Sequence, residues 1–420
     1  MVGKGGGGTF RALHVRNFRL FFLGQVLNVT GSWIHNTAIA WIIVRQKDAA
    51  TGVGLIVAMQ FLPLLLLGAW AGAIADRADK RRLLVIANGA AAVIALATAV
   101  LVSTGHRSVA VLAAMALLLG VTSAFETPTR QSLVGQLVEP PDLPSATGLN
   151  GAIMTGSRMA GSAVAGVLIV VFGATLCIYI NALSFLATIV GIVLMRESEI
   201  RPIARVTRAK GQIAEGFRYA IGQPPVRFAL VAMAVVGTLS LNSQVTTPLL
   251  ARITFHAGPG LFAMFGAVSG LGALCGSLVA AGRKEATVSL MARAALMFGV
   301  FLALVAITPW AGLALVFFAC SAFAGSLYIA TTNARLQAVA DDRYRGRVMS
   351  IYSIVFLGST PVGSVIVSGA AALSNPRVAV AIGAVAALGT GVVAIARSGR
   401  EPAASAHGPL VTIAPTAEVP

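Results

Sequence analysis

Apolar runs of eighteen or more residues recur along the whole chain, and they leave very few folds open to it. Each run is long enough to cross a bilayer as a helix. A helix is also the form in which such a run can live there, because hydrocarbon offers no partner to an unpaired N–H or C=O. Composition agrees: charged residues make up 11% of the 420 and hydrophobic residues 57%, where a soluble domain carries about a quarter charged. The expectation is an all-α polytopic membrane protein.

Twelve spans can be placed, at about 20–44, 53–75, 83–103, 109–129, 147–171, 174–195, 228–250, 260–281, 287–306, 311–332, 347–371 and 377–397. They divide the chain into a basic N-terminal segment (1–19), a six-helix bundle (20–195), a polar linker (196–227), a second six-helix bundle (228–397) and a Pro- and Ala-rich tail (398–420) that reads as disordered. Ile213, Phe217, Tyr219 and Ile221 give the linker an amphipathic pattern, so a short surface helix is expected there. An even number of spans puts both termini on one side. That side carries 25 of the 31 Lys and Arg, the opposite loops carry 5, and Arg158 alone falls deep in a span. The positive-inside rule then places both termini in the cytoplasm.

Several function classes drop out. The net charge of +17 does not signal nucleic acid, since the bases sit in short loops between apolar runs, where they set topology. Cys177, Cys275 and Cys320 are odd in number and embedded in apolar runs, so a disulfide framework is not expected. Met1 to Arg19 has no apolar core of the kind a cleavable signal needs. No Gly-rich loop ends in Lys-Ser/Thr, no cluster has metal-ligand spacing, and no enzyme signature, metal or cofactor is expected.

Between the second and third spans lies GAIADRADKRR, residues 72–82, with six charges in a crowded turn. Its pattern of Gly72, Asp76, Arg77, Lys80, Arg81 and Arg82 resembles the loop between helices 2 and 3 of the major facilitator superfamily. Further stretches sharpen the likeness: Gly24-Gln25 and Gly31-Ser32-Trp33; residues 124–132, AFETPTRQS; Leu149-Asn150 to Arg158, with Gly161 and Gly166; and residues 345–350, RGRVMS, followed by Gly358, Pro361 and Gly363. Together they resemble the enterobactin-exporter-like branch of that superfamily. The resemblance implies two pseudo-symmetric bundles with a substrate site between them near the midplane. It also implies inner-membrane export of siderophore- or drug-like molecules, powered by the proton gradient. The sequence departs from the pattern at Asp79 and Ser162, and the related loop at residues 276–284 has lost its Asp.

The resemblance makes Gly72, Asp76, Arg77, Lys80 and Arg81 a gate. An acid there can meet the positive end of a neighbouring helix while the inner ends are closed. The blander reading is that the bases hold topology and bind anionic lipid. Glu126 is the one acid placed within a span, and a charge there costs at least about 2.5–3.5 kcal/mol, so it calls for a partner. One reading makes Glu126 the protonation site with Arg158 tuning it. The other is a fixed pair of Glu126 with Arg130 one turn on, or a static lock between spans 4 and 5.

Polar residues at helical spacing mark a candidate substrate cavity: Gln25, Asn28, Ser32 and His35 in span 1, and Thr238, Asn242 and Thr246 in span 7. The resemblance implies that spans 1, 4, 7 and 10 line the central cavity, where span 10 adds Tyr328, Thr332 and Asn333. An apolar wall with a few polar groups suits an amphipathic ligand, while each polar residue singly also suits an interhelical hydrogen bond. Gly161, Gly166, Gly358, Pro361 and Gly363 are expected to permit close helix packing. The sequence thus reads as a secondary transporter exporting small amphipathic molecules with protons, expected to act as a monomer. The alternatives are uptake or facilitated passage of a metabolite or lysolipid, and a membrane receptor or scaffold that transports nothing.

Overall fold

In the computed structural model the described residues are 10–201, 212–283 and 286–398. The expectations for residues 1–9, for Lys284 and for the tail from 399 lie outside them. Six helices form the first bundle: α1 (Arg16–Val44), α2 (Ala49–Arg77), α3 (Lys80–Ser103), α4 (Val109–Leu137), α5 (Leu143–Phe172) and α6 (Ala174–Val193). The short helix α7 (Gln212–Gly222) follows. Then come α8 (Pro224–Leu239), α9 (Ser243–Leu249), α10 (Pro259–Ala281), α11 (Val288–Ile307), α12 (Ala311–Val339), α13 (Asp342–Leu373) and α14 (Pro376–Ser398).

Helix ends follow local chemistry. Asp79 caps α3 by accepting from the N–H groups of Arg81 and Arg82, which satisfies donors that have no partner within the helix. The crowded turn expected over residues 72–82 is therefore only Ala78–Asp79, with α2 continuing through Arg77. The tight turn near residue 173 is Gly173 itself, whose φ of +85° joins α5 to α6, a conformation that favours glycine. A single 3₁₀ turn (Arg11–His14) tucks against the α4–α5 junction, where Arg11 pairs with Asp142 at 2.6 Å, and α1 starts at Arg16.

Among the described residues eleven helical segments are long and apolar enough to cross a membrane, with α8 and α9 counted as one. α1 falls short by composition, since Arg16, Asn17, Arg19, Gln25, Asn28 and Asn36 dilute its 29 residues. It is nonetheless seated inside the first bundle against α5 and α6. Of the polar residues that lower its hydropathy, Asn17, Gln25 and Asn28 are buried in protein, while Arg19 is exposed.

The seventh span is broken, which the periodicity did not foretell. Between α8 and α9, Ser240, Leu241 and Asn242 leave the helix. Asn242 Nδ2 donates to the Thr238 carbonyl at 2.7 Å, and Ser240 Oγ donates to the Gly383 carbonyl at 2.6 Å. Asn and Ser side chains compete in this way for backbone groups, and irregular backbone at membrane depth survives only where protein or a cavity surrounds it. Pro248 withholds one more helical donor, and a π turn over Leu250–Thr254 ends the span.

The bundles meet along two seams, α2 with α13 and α5 with α10. Call the face that carries both chain ends the terminal face, and the other the distal face. On the distal half, Gly54 lies against Ser368, Gly166 against Ala263, and the Trp41 and Phe262 rings stack at 6.3 Å. Nearer mid-depth, Met159 abuts Gly270 and Leu65 abuts Gly358. On the terminal half, a Cβ at Gly72, Gly148, Gly151, Gly156 or Gly346 would find nothing within 4 Å. The seam contacts named here lie on the distal half and at mid-depth, and a crevice lined by Arg45 and Arg107 of the first bundle and Arg252 of the second opens on the distal face.

Candidate functional site

At mid-depth between the two bundles lies a cavity of about 80 Å³. α1 supplies Trp33, His35 and Asn36, α2 supplies Gln60, α5 supplies Arg158, and α9 supplies Ser243, Gln244 and Thr247. Apolar walls come from Ile39, Ile56, Leu112 and Phe265. His35 is buried, and its Nδ1 has no hydrogen-bond partner among the described residues. Asn36 Oδ1 accepts from Gln60 Nε2 at 3.3 Å.

Arg158 is the sixteenth of the 30 residues of α5, so its guanidinium is at the centre of the span. Nη2 donates to Ser243 Oγ at 2.7 Å, across the bundle interface and at the first turn after the break in span 7. The guanidinium carbon stands 5.1 Å from the centroid of the Trp33 ring, a geometry that stabilises a cation. The close approach of α1 to α5 that sets this stack depends on Gly161, where a Cβ would sit 2.7 Å from that of Trp33.

Glu126 and Arg158 are not brought together. Glu126 Oε1 pairs with Arg130 Nε at 2.9 Å on the same helix, and Thr127 Oγ1 donates to Glu126 Oε2 at 3.4 Å. Arg130 Nη1 then donates to Asn150 Oδ1 of α5 at 3.1 Å. Of the two pairings open to Glu126, the structure adopts the one with Arg130.

The gate residues lie at the terminal mouth of the first bundle. Asp76 and Arg77 are exposed at the end of α2. Arg81 turns inward to α6, where its Nη2 donates to the carbonyls of Ile192, Val193 and Met195 at 3.2–3.4 Å. A cation there complements the negative end of α6, and Arg81 also pairs with Glu197 at the start of the linker at 3.6 Å. In the related loop, Gly276 is a packing residue set against the carbonyl of Phe323.

Of the expected cavity residues, His35 alone lines the space. Asn28 Nδ2 donates to Asn88 Oδ1 at 3.1 Å and Ser32 Oγ to Asn181 Oδ1 at 3.5 Å, so both serve helix contacts inside the first bundle. Gln25 is buried beside them, with neither amide atom partnered among the described residues. In span 7 the break shifts the helical register: Ser243 and Thr247 face the cavity, while Thr238, Asn242 and Thr246 bond to their own chain. Thr332 donates to the Tyr328 carbonyl at 2.8 Å and Asn333 accepts from Gln337 at 2.6 Å, in a part of α12 away from the cavity. Lone Gln60 in an otherwise apolar span was the legible signal for the missed set.

The packing residues act as expected in part across the seams and in part within bundles. Gly166 and Gly358 serve the two seams, Gly161 serves α1–α5 and Gly363 serves α13–α8. Pro361 is buried within α13, where its carbonyl accepts from Ser364 Oγ at 2.9 Å.

At the terminal face α7 is bolted to the start of α13. Glu215 accepts from the Tyr344 hydroxyl at 3.0 Å and pairs with Arg347 at 2.8 Å and Arg343 at 3.6 Å. Tyr219 stacks on Tyr344 at 4.3 Å. The Tyr344 hydrogen bond foremost, with the charges of Arg347 and Arg343, holds the Glu215 carboxyl below its ordinary range.

The family model for transmembrane secretion effectors matches residues 7–412. The chain belongs to that family. It is a major facilitator transporter of the efflux type and no enzyme. A staphyloferrin A transporter of Staphylococcus aureus is 32% identical over 157 residues, 37% of this chain and 40% of its own length. Macrolide efflux protein A of Streptococcus pyogenes is 23% identical over 83% of this chain and 88% of its own. Among solved structures, a bacterial homologue of the lysosomal transporter Spinster, inward-facing and unoccupied, superposes with a TM-score of 0.69 at 15% identity, covering 91% of this chain and 96% of the other. A POT family transporter in complex with 5-aminolevulinic acid gives 0.73 at 11% identity, covering 92% and 96%. These last two likenesses attest the fold of this secretion effector.

Proposed function

We propose that this effector exports small amphipathic molecules across the inner membrane by alternating access, driven by protons, as a monomer with both termini in the cytoplasm. One observation carries the proposal: a cavity with a few polar groups lies between the two bundles at mid-depth, and the stacked Trp41 and Phe262 rings stand between it and the distal face. Such an arrangement loads substrate from one side only. The basic residues gathered at the terminal face support placing that side in the cytoplasm.

Release needs the opposite rocking. The Trp41–Phe262 stack is then the distal plug, because Phe262 lines the mid-depth cavity while Trp41 lines a crevice on the distal face. Asp76 and Arg77 are proposed to latch the terminal ends together in that state, beside the start of α13, while Lys80 and Arg82 rest on anionic lipid. Glu126 is proposed as the proton carrier. Protonation removes the charge that holds Arg130, and Arg130 is the tie from α4 to Asn150 of α5. Proton binding thereby reaches α5, a seam helix.

The decisive measurement is uphill flux in proteoliposomes under an imposed proton gradient, with a macrolide, ethidium and a siderophore as cargo. Wild-type protein should accumulate at least one of them against its gradient. Glu126→Gln should lose accumulation while retaining downhill exchange. Uphill flux in that variant would remove Glu126 from the role, and flux indifferent to the proton gradient would remove proton coupling.

A further inference from the structure

The guanidinium of Arg158 is a charge without a counter-charge. Intramembrane bases normally pair with an acid or with backbone carbonyls, yet its described partners are one neutral hydroxyl and one aromatic face. Among the described residues no carboxylate lies within ion-pair distance of it. The acid that shares its depth, Glu126, is held by Arg130 in the neighbouring helix. Burying an uncompensated charge is unfavourable, so a chain that keeps one there gains from a partner that arrives later.

The surroundings specify that partner. Ser243 takes one N–H of Nη2, which leaves the other N–H groups of a guanidinium that lines the cavity without a described acceptor. His35, equally buried, lines the same cavity and holds an unpartnered Nδ1 there. Gln60, Gln244 and Thr247 add neutral polar groups, and no Asp or Glu is among the lining residues. A volume of about 80 Å³ admits several waters or a small anionic head. The planar fork of an arginine matches a carboxylate in two parallel hydrogen bonds. Beyond the Trp41–Phe262 plug, the distal crevice is again lined by bases, Arg45, Arg107 and Arg252, with no acid in its lining. The two compartments on either side of the plug share one sign of charge.

We infer that Arg158 is the recognition residue of an anion subsite, and that the cargo is an amphipathic organic anion bound through a carboxylate with its apolar body along the α1, α2 and α4 walls. The inference rests on the transport reading and narrows its substrate class: a cationic drug would meet two arginine-lined compartments in succession. Ser243, on the second bundle, is a positioning residue that holds the guanidinium across the seam until the carboxylate competes for it.

A matched pair of probes tests this in nanodiscs: dansyl-phenylalanine, which carries the carboxylate, and dansyl-phenylalanine amide, which does not. Energy transfer from tryptophan to dansyl reports binding. Wild type should bind the carboxylate at least tenfold more tightly than the amide. Arg158→Gln should weaken the carboxylate about tenfold and leave the amide within twofold, and Arg158→Lys should keep a preference for the carboxylate. The wild-type comparison needs no variant, so it decides the matter even if Arg158→Gln fails to fold. Equal affinity for the two probes, no carboxylate binding, or an equal loss of both in Arg158→Gln would overturn the assignment. Gradient-driven flux of the amide without carboxylate preference would sink this inference alone, whereas absence of uphill flux for every cargo would sink the transport reading beneath it.

Discussion

Arg130 and Arg158 sit on successive helices of the same bundle, Arg130 near the terminal end of α4 and Arg158 at the centre of α5, and the two buried charges are held in opposite ways. Arg130 is closed: a carboxylate at 2.9 Å one turn back and an amide oxygen at 3.1 Å occupy its fork. Arg158 is open: a hydroxyl takes one nitrogen and a ring stabilises its face. The first set of contacts lies inside one bundle, and the second spans two bundles that must move apart. A closed charge holds structure in either state, while an open one gives the empty cavity a demand that cargo can meet.

The largest expected effect would break this contrast if it failed. Arg130→Gln leaves Glu126 as an unpaired carboxylate, and losing one partner of a buried pair costs about 3–5 kcal/mol. The melting temperature of the purified protein should fall steeply. Arg158→Gln removes a charge that nothing balances, so its effect on stability should stay within about 1 kcal/mol. Equal destabilisation of the two would show that Arg158 is a structural charge after all.

A smaller effect sharpens the contrast. In Gly161→Val the new side chain would meet the Trp33 Cβ at 2.7 Å and the Thr30 carbonyl at 2.8 Å. Overpacking of that kind costs about 1–3 kcal/mol. α1 must then shift off α5, carrying Trp33 away from Arg158 while the Glu126–Arg130 pair, which lies within α4, keeps its geometry. Anion binding should weaken with the melting temperature. Unchanged anion binding in a destabilised Gly161→Val protein would show that the Trp33 stack does not orient the guanidinium.

The architecture was legible because the lipid solvent imposes it: length, apolarity and Lys/Arg asymmetry are long-range signals that survive any local irregularity. Of the cavity lining, only residues chemically out of place in their spans were singled out from the sequence, Arg158 and His35. Pairing was not legible, because Glu126 has a base at helical spacing on its own strand of sequence and another in the next span, and only packing decides. The span 7 residues were misread for one physical reason. Asn242 and Ser240 satisfy backbone groups instead of facing cargo, and the break they create turns Ser243 and Thr247 to the cavity. α1 carried the opposite lesson: its polar residues look like a cavity face, and Asn28 and Ser32 are bonded within the bundle.

A third arrangement of charge closes the comparison, at the terminal face where water competes. Glu215 of α7 holds Arg343 and Arg347 and accepts from Tyr344, so the linker is fastened to the base of α13, one of the seam helices. These partners, Tyr344 first, lower the carboxyl's proton affinity. A depressed carboxylate contributes stability above its unfolded value and loses it as pH falls through the folded one. The fastening should therefore persist at neutral pH and release only in acid below the ordinary carboxylate range. Hydrogen exchange over α7 should be slow at pH 7, and Glu215→Gln should raise it with little change in melting temperature, since exposed pairs contribute little. If Glu215→Gln leaves α7 as protected as wild type, the Tyr219–Tyr344 stack alone fastens the linker.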